Sequence, residues 1–370
     1  MTIALLPTCV LIAAFALSAL LVPGTGWLAR SLGVLDAPGE RKVHETPTPR
    51  LGGIAVFAAF TAIVLAGYFG VPILSRIDWV RTTLAAPVAM LQEAYRVETQ
   101  LLAVLLGATI VFGVGFFDDV LGTRFKVAWK AGGQLLAAVV LVAGGVRTDF
   151  LYYDALNVAF TLVWVVGITN AFNLLDNMDG LSAGVAFVAS TVLLLNAWLL
   201  GEFFISLVLV AFMGALLGFL VYNWSPASVF LGDCGSLFVG FFLASITLLQ
   251  RYVSHASSTY FPVLMPMLVL ALPILDTTTV VVIRLRERRP IYVGDSRHLS
   301  HRLVSLGMRP PLAVFTIYLI TLGIGLSAVG LAHASLVQAV ILVVQALVVV
   351  AVVLILLFYD RRSLPRREPR

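Results

Sequence analysis

The sequence predicts an all-α, polytopic integral membrane protein, and three observations carry that reading. Hydrophobic residues fill 60% of the 370 positions and charged residues only 12%, which excludes an ordinary soluble domain. The apolar residues gather into runs of about 20, the length a helix needs to cross the hydrocarbon core. The runs do not alternate apolar with polar residues, as the strands of a membrane barrel must.

The first run, 3–29, follows Met1-Thr2-Ile3, which lacks the basic head of a cleavable signal. Basic residues come after it instead, at Arg30, Arg41, Lys42 and Arg50, so the N-terminus is expected outside the cytoplasm. Further runs lie at 51–74, 99–117, 127–146, 156–173, 181–200, 203–222, 234–250, 260–283, 311–333 and 335–358. About eleven spans therefore leave the C-terminus in the cytoplasm. The segment 75–98 reads as an amphipathic piece on the outer interface, with no chemistry assigned.

This topology leaves only Arg76, Arg81, Arg96, Arg147 and Arg251 of the 24 Lys and Arg residues outside, in keeping with the positive-inside rule. The basic group at 284–309 and the tail at 360–370 both fall inside. A net charge of +5 is then mainly an orientation signal with some attraction to anionic membrane lipid. No compact basic domain exists to hold nucleic acid. Cys9 and Cys234 lie in or beside separate spans, so neither a disulfide nor a zinc site is expected. No internal repeat is visible, and residues 1–370 read as a single integral domain.

The polar residues are not scattered. RKVHETPTPRLGG (41–53), FFDDVLGTRFKVAWK (116–130), NAFNLLDNMDG (170–180), NWSPASVFLGDCGS (223–236) and GDSRHLSHRL (294–303) all fall on the predicted cytoplasmic side. The outer connections carry nothing of comparable density. Five clusters from distant parts of the chain thus meet one membrane surface, which points to one site there.

Asp118 and Asp119 end a span and, as neighbours on a helix, point about 100° apart, so they are expected to do different work. Asn170 and Asn173 are three apart, as are Asp176 and Asp179, so each pair is expected to share a helix face. Asp233 sits between Gly232 and Cys234-Gly235-Ser236, where a glycine-flanked loop opens a helix and offers backbone N–H groups to an anion. Carboxylates and amide oxygens beside such loops suit Mg²⁺, which is usually held by one or two carboxylates plus substrate phosphates. Lys42, Lys130, Arg297 and Arg302 can neutralise further phosphate charge.

Each cluster also has a plainer reading. Asp118-Asp119 can be a solvated helix end, GDCGS a simple turn, and Lys130 a snorkelling side chain. His44, His298 and His301 can be interfacial surface residues, and the glycines of PRLGG can serve helix packing. Arg284, Arg286, Arg288 and Arg289 read as orientation determinants. Asp276 is different, because a carboxylate two turns inside a span calls for a function or a specific partner. Lys130 is the partner considered, and Pro273 is expected to kink that span.

With these residues in view, the sequence resembles the polyprenyl-phosphate N-acetylhexosamine-1-phosphate transferases, of the bacterial UDP-GlcNAc:undecaprenyl-phosphate type within glycosyltransferase family 4. The resemblance runs roughly from Asp36 to Gly307, over RKVHETPTPRLGG, FFDD-x-x-G, NAFNLLDNMDGL, FLGDCGS, LPILD and HLSHRL, in family order. PRLGG and the DN-x-DG form look like the GlcNAc branch, whereas the phospho-MurNAc-pentapeptide branch shows PTMGG and DG-x-DG. One departure is Ser300, which stands where the family's histidine loop has its middle histidine.

The resemblance implies a lipid phosphate attacking the β-phosphorus of a UDP-N-acetylhexosamine, with UMP leaving, at the cytoplasmic face of the bacterial inner membrane. The product would initiate a cell-envelope polysaccharide. It implies Mg²⁺, with Mn²⁺ as a substitute, held by Asp233 and Asn173. Asp118 would take or orient the lipid phosphate proton, with Asp119 and Asp176 completing the catalytic group. Asn170, Asp179, Gly232, His298, His301 and Arg302 would meet the nucleotide, sugar or diphosphate, and Lys42 and Lys130 the lipid phosphate. His44, Arg50 and Asp276 receive no settled role, and a homodimer is compatible with the family. A transporter would instead need polar residues along a path to the midplane, and a scaffold would tolerate loss of Asp233.

Overall fold

The computed structural model describes residues 2–36, 47–78, 85–252, 259–290 and 297–358. Lys42, His44 and the basic tail from 360 lie outside the described residues. The helices are α1 (Thr2–Leu32), α2 (Gly53–Leu74), α3 (Ala85–Gln92), α4 (Glu98–Leu121), α5 (Val127–Ala143), α6 (Asp154–Leu175) and α7 (Leu181–Leu199). They continue as α8 (Phe203–Asn223), α9 (Gly232–Leu249), α10 (Met265–Val269), α11 (Ala271–Arg286), α12 (Leu299–Ser305), α13 (Pro310–Gly330) and α14 (Leu336–Phe358).

The fold is all-α and polytopic, as expected. Among the described residues nine helices are long and apolar enough to cross a membrane, and a bent pair makes a tenth. The eleventh expected run is α5, apolar but only 17 residues long. The bent pair corrects the sequence reading of 260–283 as one continuous span. Phe261–Val269 and Ala271–Arg286 meet at 65°, with the break at Leu270. Pro273 falls in the first turn after the break, where its missing N–H leaves no ladder bond unmade.

Helix α9 is the centre of the bundle. Across its most apolar stretch 83% of residues are buried, against 17% for the peripheral α1 and α14. It packs on α2, α4, α6 and α7. Lipid supplies little hydrophobic drive between helices, so close packing has to hold them together. Small residues allow the approach: a Cβ on Gly53 of α2 would overlap the backbone of Gly235 of α9. A Cβ on Gly115 of α4 would likewise overlap the backbone of Asp233 and Cys234. Gly214 and Gly218 place α8 against the backbone of α1, where Ser18 Oγ donates to Ala215 O at 2.7 Å. Aromatic rings fill the space farther in: Phe57 stacks on Phe112 at 4.2 Å, and Phe60 and Phe212 close on Phe242 at 4.9 and 4.2 Å.

A two-stranded antiparallel ribbon, β1 (Leu35–Asp36) with β2 (Thr48–Pro49), carries PRLGG onto the start of α9. Phe230 N–H donates to Pro49 O at 2.7 Å, while Gly52 and Gly53 N–H donate to Phe230 O and Leu231 O at 2.9 and 2.8 Å. Two distant motifs are thereby sewn together by main chain alone.

The opposite end of the bundle is more polar than the sequence suggests. Glu202 accepts the Arg251 N–H at 3.2 Å, Glu93 accepts the Phe204 N–H at 3.2 Å, and Tyr68 donates to Glu98 at 2.6 Å. These groups come from separate connections, so no single stretch of sequence reveals them. Arg284 is also not a surface charge: it is buried and donates to Pro290 O at 2.6 Å.

Candidate active site

The C-terminal ends of α4 and α6 meet the N-terminal ends of α5 and α9 at one end of the bundle. Lys130, in the first turn of α5, is the hub. Its Nζ lies 2.8 Å from Asp118 Oδ2 and 2.8 Å from Asp233 Oδ2. Asn173, in the last turn of α6, donates from Nδ2 to Asp233 Oδ1 and to Ser236 Oγ, both at 2.8 Å.

Asp118 and Asp119 do take different partners. Asp119 is fully buried and accepts the Asp233 N–H on Oδ1 at 3.0 Å and the Cys234 N–H on Oδ2 at 2.9 Å. These donors open α9, and a carboxylate there caps them and complements the helix dipole. Arg50 stands 3.9 Å from Asp119 and 3.8 Å from Asp36, so PRLGG contributes a cation as well as packing. Gly232 adopts φ +75°, and a Cβ there would overlap Arg50 O. Glycine is therefore required at the tightest point of the turn.

The third motif departs from its expected geometry. Helix α6 stops at Leu175, so Asp176 and Asp179 do not share a helix face. Asp179 instead accepts the Ala227 N–H at 3.0 Å, and Gly180 N–H donates to Asn223 Oδ1 at 3.0 Å. Burial pushes the Asp176 carboxyl up to about 8, with the negative charge of Asp233 adding to the shift. Near neutral pH this group is largely protonated and can donate a hydrogen bond. Asn170, on the same face of α6 as Asn173, exchanges hydrogen bonds with Gln134 of α5, at 2.5 and 3.3 Å.

The partner considered for Asp276 has to be corrected. Lys130 belongs to Asp118 and Asp233, whereas Asp276 is buried against His298 Nδ1 at 2.6 Å and the Leu299 N–H at 2.7 Å. His298 is thus almost wholly enclosed, while His301 and Arg302 are half-exposed. Ser300 donates to Asn177 Oδ1 at 2.6 Å, which ties the histidine loop to the third motif.

Sequence reading missed Gln134, Asn177, Asn223 and Ser236. Gln134 follows Lys130 by one turn and Ser236 follows Asp233 by three residues, so helical spacing could have found both. Asn177 and Asn223 hold loops together across the fold, and no local pattern marks them.

The donor set fits Mg²⁺. Among the described residues no three His, Cys, Asp or Glu side chains gather closely enough to cage an ion. Two carboxylates do converge on one cationic position, now occupied by the Lys130 ammonium. That is the protein share typical of an Mg²⁺ completed by substrate phosphates and water.

Comparison with known proteins decides the class. The family model described as Glycosyl transferase family 4 matches residues 101–250. A Bacillus subtilis (strain 168) protein named probable undecaprenyl-phosphate N-acetylglucosaminyl 1-phosphate transferase is 33% identical over 318 residues, covering 84% of this chain and 80% of its own. The chain belongs to the polyprenyl-phosphate N-acetylhexosamine-1-phosphate transferase family. Another relative, the decaprenyl-phosphate N-acetylglucosaminephosphotransferase of Mycobacterium tuberculosis (strain CDC 1551 / Oshkosh), is 31% identical over 83% of this chain and 77% of its own. The phospho-N-acetylmuramoyl-pentapeptide-transferase of Geobacillus kaustophilus (strain HTA426) is 30% identical over 64% of this chain and 71% of its own. As a member of this family with so many apolar helices, the chain is a multi-pass membrane protein.

Proposed function

We infer that this chain transfers N-acetylglucosamine 1-phosphate from UDP-N-acetylglucosamine to a polyprenyl phosphate, releasing UMP and leaving a diphosphate-linked sugar in the membrane. The observation that carries the reading is the convergence of Asp118 and Asp233 on one cationic position at a bundle end built from motifs that resemble the family's in type and order. The GlcNAc-type relatives match 83–84% of the chain and the pentapeptide-type relatives 40–64%, which favours the GlcNAc donor.

Asp118 and Asp233 would hold Mg²⁺, which when bound draws charge from the diphosphate; Asn173, which the resemblance put on the metal beside Asp233, here turns its amide N–H to Asp233 and Ser236 and supports the site from there. Asn173 keeps the Asp233 carboxylate turned inward, and Asp119 fixes the backbone on which Asp233 is carried. Lys130 balances the two carboxylates and is placed to neutralise an arriving lipid phosphate. That phosphate attacks the β-phosphorus, the bond from β-phosphorus to the bridging oxygen breaks, and UMP carries that oxygen away. Direct displacement suffices, because phosphoryl transfer needs chiefly positioning and charge stabilisation. Asp176, in its protonated form, and Asp179 flank the nucleotide.

The polyprenyl tail keeps the acceptor at headgroup depth, so the soluble donor must arrive at this end of the bundle, the cytoplasmic face by the distribution of basic residues. The test uses purified protein in detergent with undecaprenyl phosphate and Mg²⁺, following UMP release. Release from UDP-GlcNAc that EDTA abolishes is the expected result. Release only from UDP-MurNAc-pentapeptide would overturn the donor, and silence with both would overturn the reading.

A further inference from the structure

Short helix α12 is fastened along one face. His298, Leu299, Ser300 and Leu303 are buried, with His298 at 3% exposure and Ser300 at 1%. His301 and Arg302 occupy the other face and are half-exposed. The fastening comes from two directions. Asp276 of α11 takes His298 Nδ1 on one oxygen and the Leu299 N–H on the other. From the far side, Ser300 Oγ reaches Asn177 Oδ1 at 2.6 Å, and Asn177 Nδ2 is itself tied to Leu174 O at 3.0 Å.

Two features give this arrangement a purpose beyond holding a loop in place. Asp276 is only 1% exposed, and a carboxylate so deeply placed is costly unless it is well bonded. Its oxygens serve the N-cap residue and the first residue of a seven-residue helix, a length that does not persist unaided. On the open face, Arg302 Nε is buried without a hydrogen-bond acceptor among the described residues. A buried donor of this kind calls for an acceptor from elsewhere.

We propose that Asp276, acting through His298, is a positioning residue for the donor side of the site. It locks the buried face of α12 so that His301 and Arg302 meet the sugar diphosphate. The resemblance alone placed His298 on the substrate; the geometry makes it the bolt and leaves contact with the ligand to its two neighbours. Asp276 lies in the second half of the broken span, after the bend at Leu270. The identity of the ligand rests on the transferase reading, whereas the lock does not.

The test compares full-length wild type, Asp276→Ala, Asp276→Asn and Ser300→Ala in detergent by two readouts. Hydrogen exchange over 298–305 should quicken about tenfold or more in Asp276→Ala, with α9 unchanged. The KM for UDP-GlcNAc should rise about tenfold or more, while the KM for undecaprenyl phosphate moves less than about twofold. Asp276→Asn keeps an acceptor for Leu299 and should fall between. Ser300→Ala, which disturbs only the Asn177 side, should raise the donor KM a few-fold and answers the question if Asp276→Ala fails to fold. Unchanged exchange in 298–305 would overturn the lock. Equal rises in both KM values, or faster exchange with an unchanged donor KM, would overturn the positioning role. A wild type inert toward UDP-GlcNAc whose α12 still responds to Asp276→Ala would overturn the transferase reading and the donor assignment, and leave the lock standing.

Discussion

Asp119 grips Asp233 by its main chain: the Asp233 N–H reaches Asp119 Oδ1 at 3.0 Å, and the next N–H reaches Oδ2 at 2.9 Å. A residue from the end of α4 therefore sets where the other reactive carboxylate begins its helix. Asp119→Asn keeps one acceptor but turns an amide N–H₂ toward a backbone donor. Turnover should drop about 10–100-fold, as for other groups that orient a ligand-bearing residue. Hydrogen exchange at 231–236 should quicken in parallel. Full activity with slow exchange would show that the grip is dispensable.

Lys130→Met removes the cation shared by Asp118 and Asp233. Breaking a part-buried pair in this way costs about 3–5 kcal/mol, because the remaining charges lose their partner. Added Mg²⁺ should recover part of that loss if these carboxylates bind it. Melting temperatures in EDTA and in Mg²⁺ should therefore differ more for Lys130→Met than for wild type. Equal differences in the two proteins would remove the metal assignment.

Gly115→Ala and Gly113→Ala form a matched pair two residues apart on α4. A Cβ at Gly115 would overlap the backbone of Asp233, whereas one at Gly113 meets nothing within 4 Å. Overpacking of that kind costs about 1–3 kcal/mol, more where only backbone can yield. The Gly115 variant should lose activity and melt earlier, and the Gly113 variant should match wild type or exceed it slightly.

Glu202 tests the far end of the bundle. Burial pushes its carboxyl up to about 7, against the pull of the Arg251 N–H and guanidinium. A carboxyl raised in the folded state favours folding while protonated, so its contribution is full below the unfolded value of about 4.3. It is lost as pH rises through the folded value near 7. Melting temperature should accordingly fall between about pH 4 and pH 7, and Glu202→Gln should flatten that fall. Superimposable profiles for the two proteins would contradict the assignment.

The sequence announced the bundle because a span must be long and apolar, and both properties survive in a linear reading. It also announced Asp118, Asp119, Asn173 and Asp233, since polar residues at the ends of oily runs stand out. What it hid were pairings across the fold. Lys130 was the partner considered for Asp276 on paper, whereas in the fold Asp276, beyond the bend at Leu270, meets His298. Hydropathy averages over such a bend. The i, i+3 spacing of Asp176 and Asp179 suggested a shared face, but the helix ends one residue before Asp176. Glu202 and Glu93 went unnoticed, and Arg251 counted only as an orientation charge, because their pairings join separate stretches of sequence.

The meeting of α2, α4 and α9 has a consequence for how this chain can change over generations. Where side chain packs on side chain, as among Phe60, Phe212 and Phe242, a loss on one ring can be made good by a gain on another. Where main chain lies on main chain, as at Gly53 with Gly235 and at Gly115 with Asp233, there is no second atom to adjust. The reactive end of the bundle is thus held by positions that cannot drift in pairs, while the aromatic interior remains open to exchange.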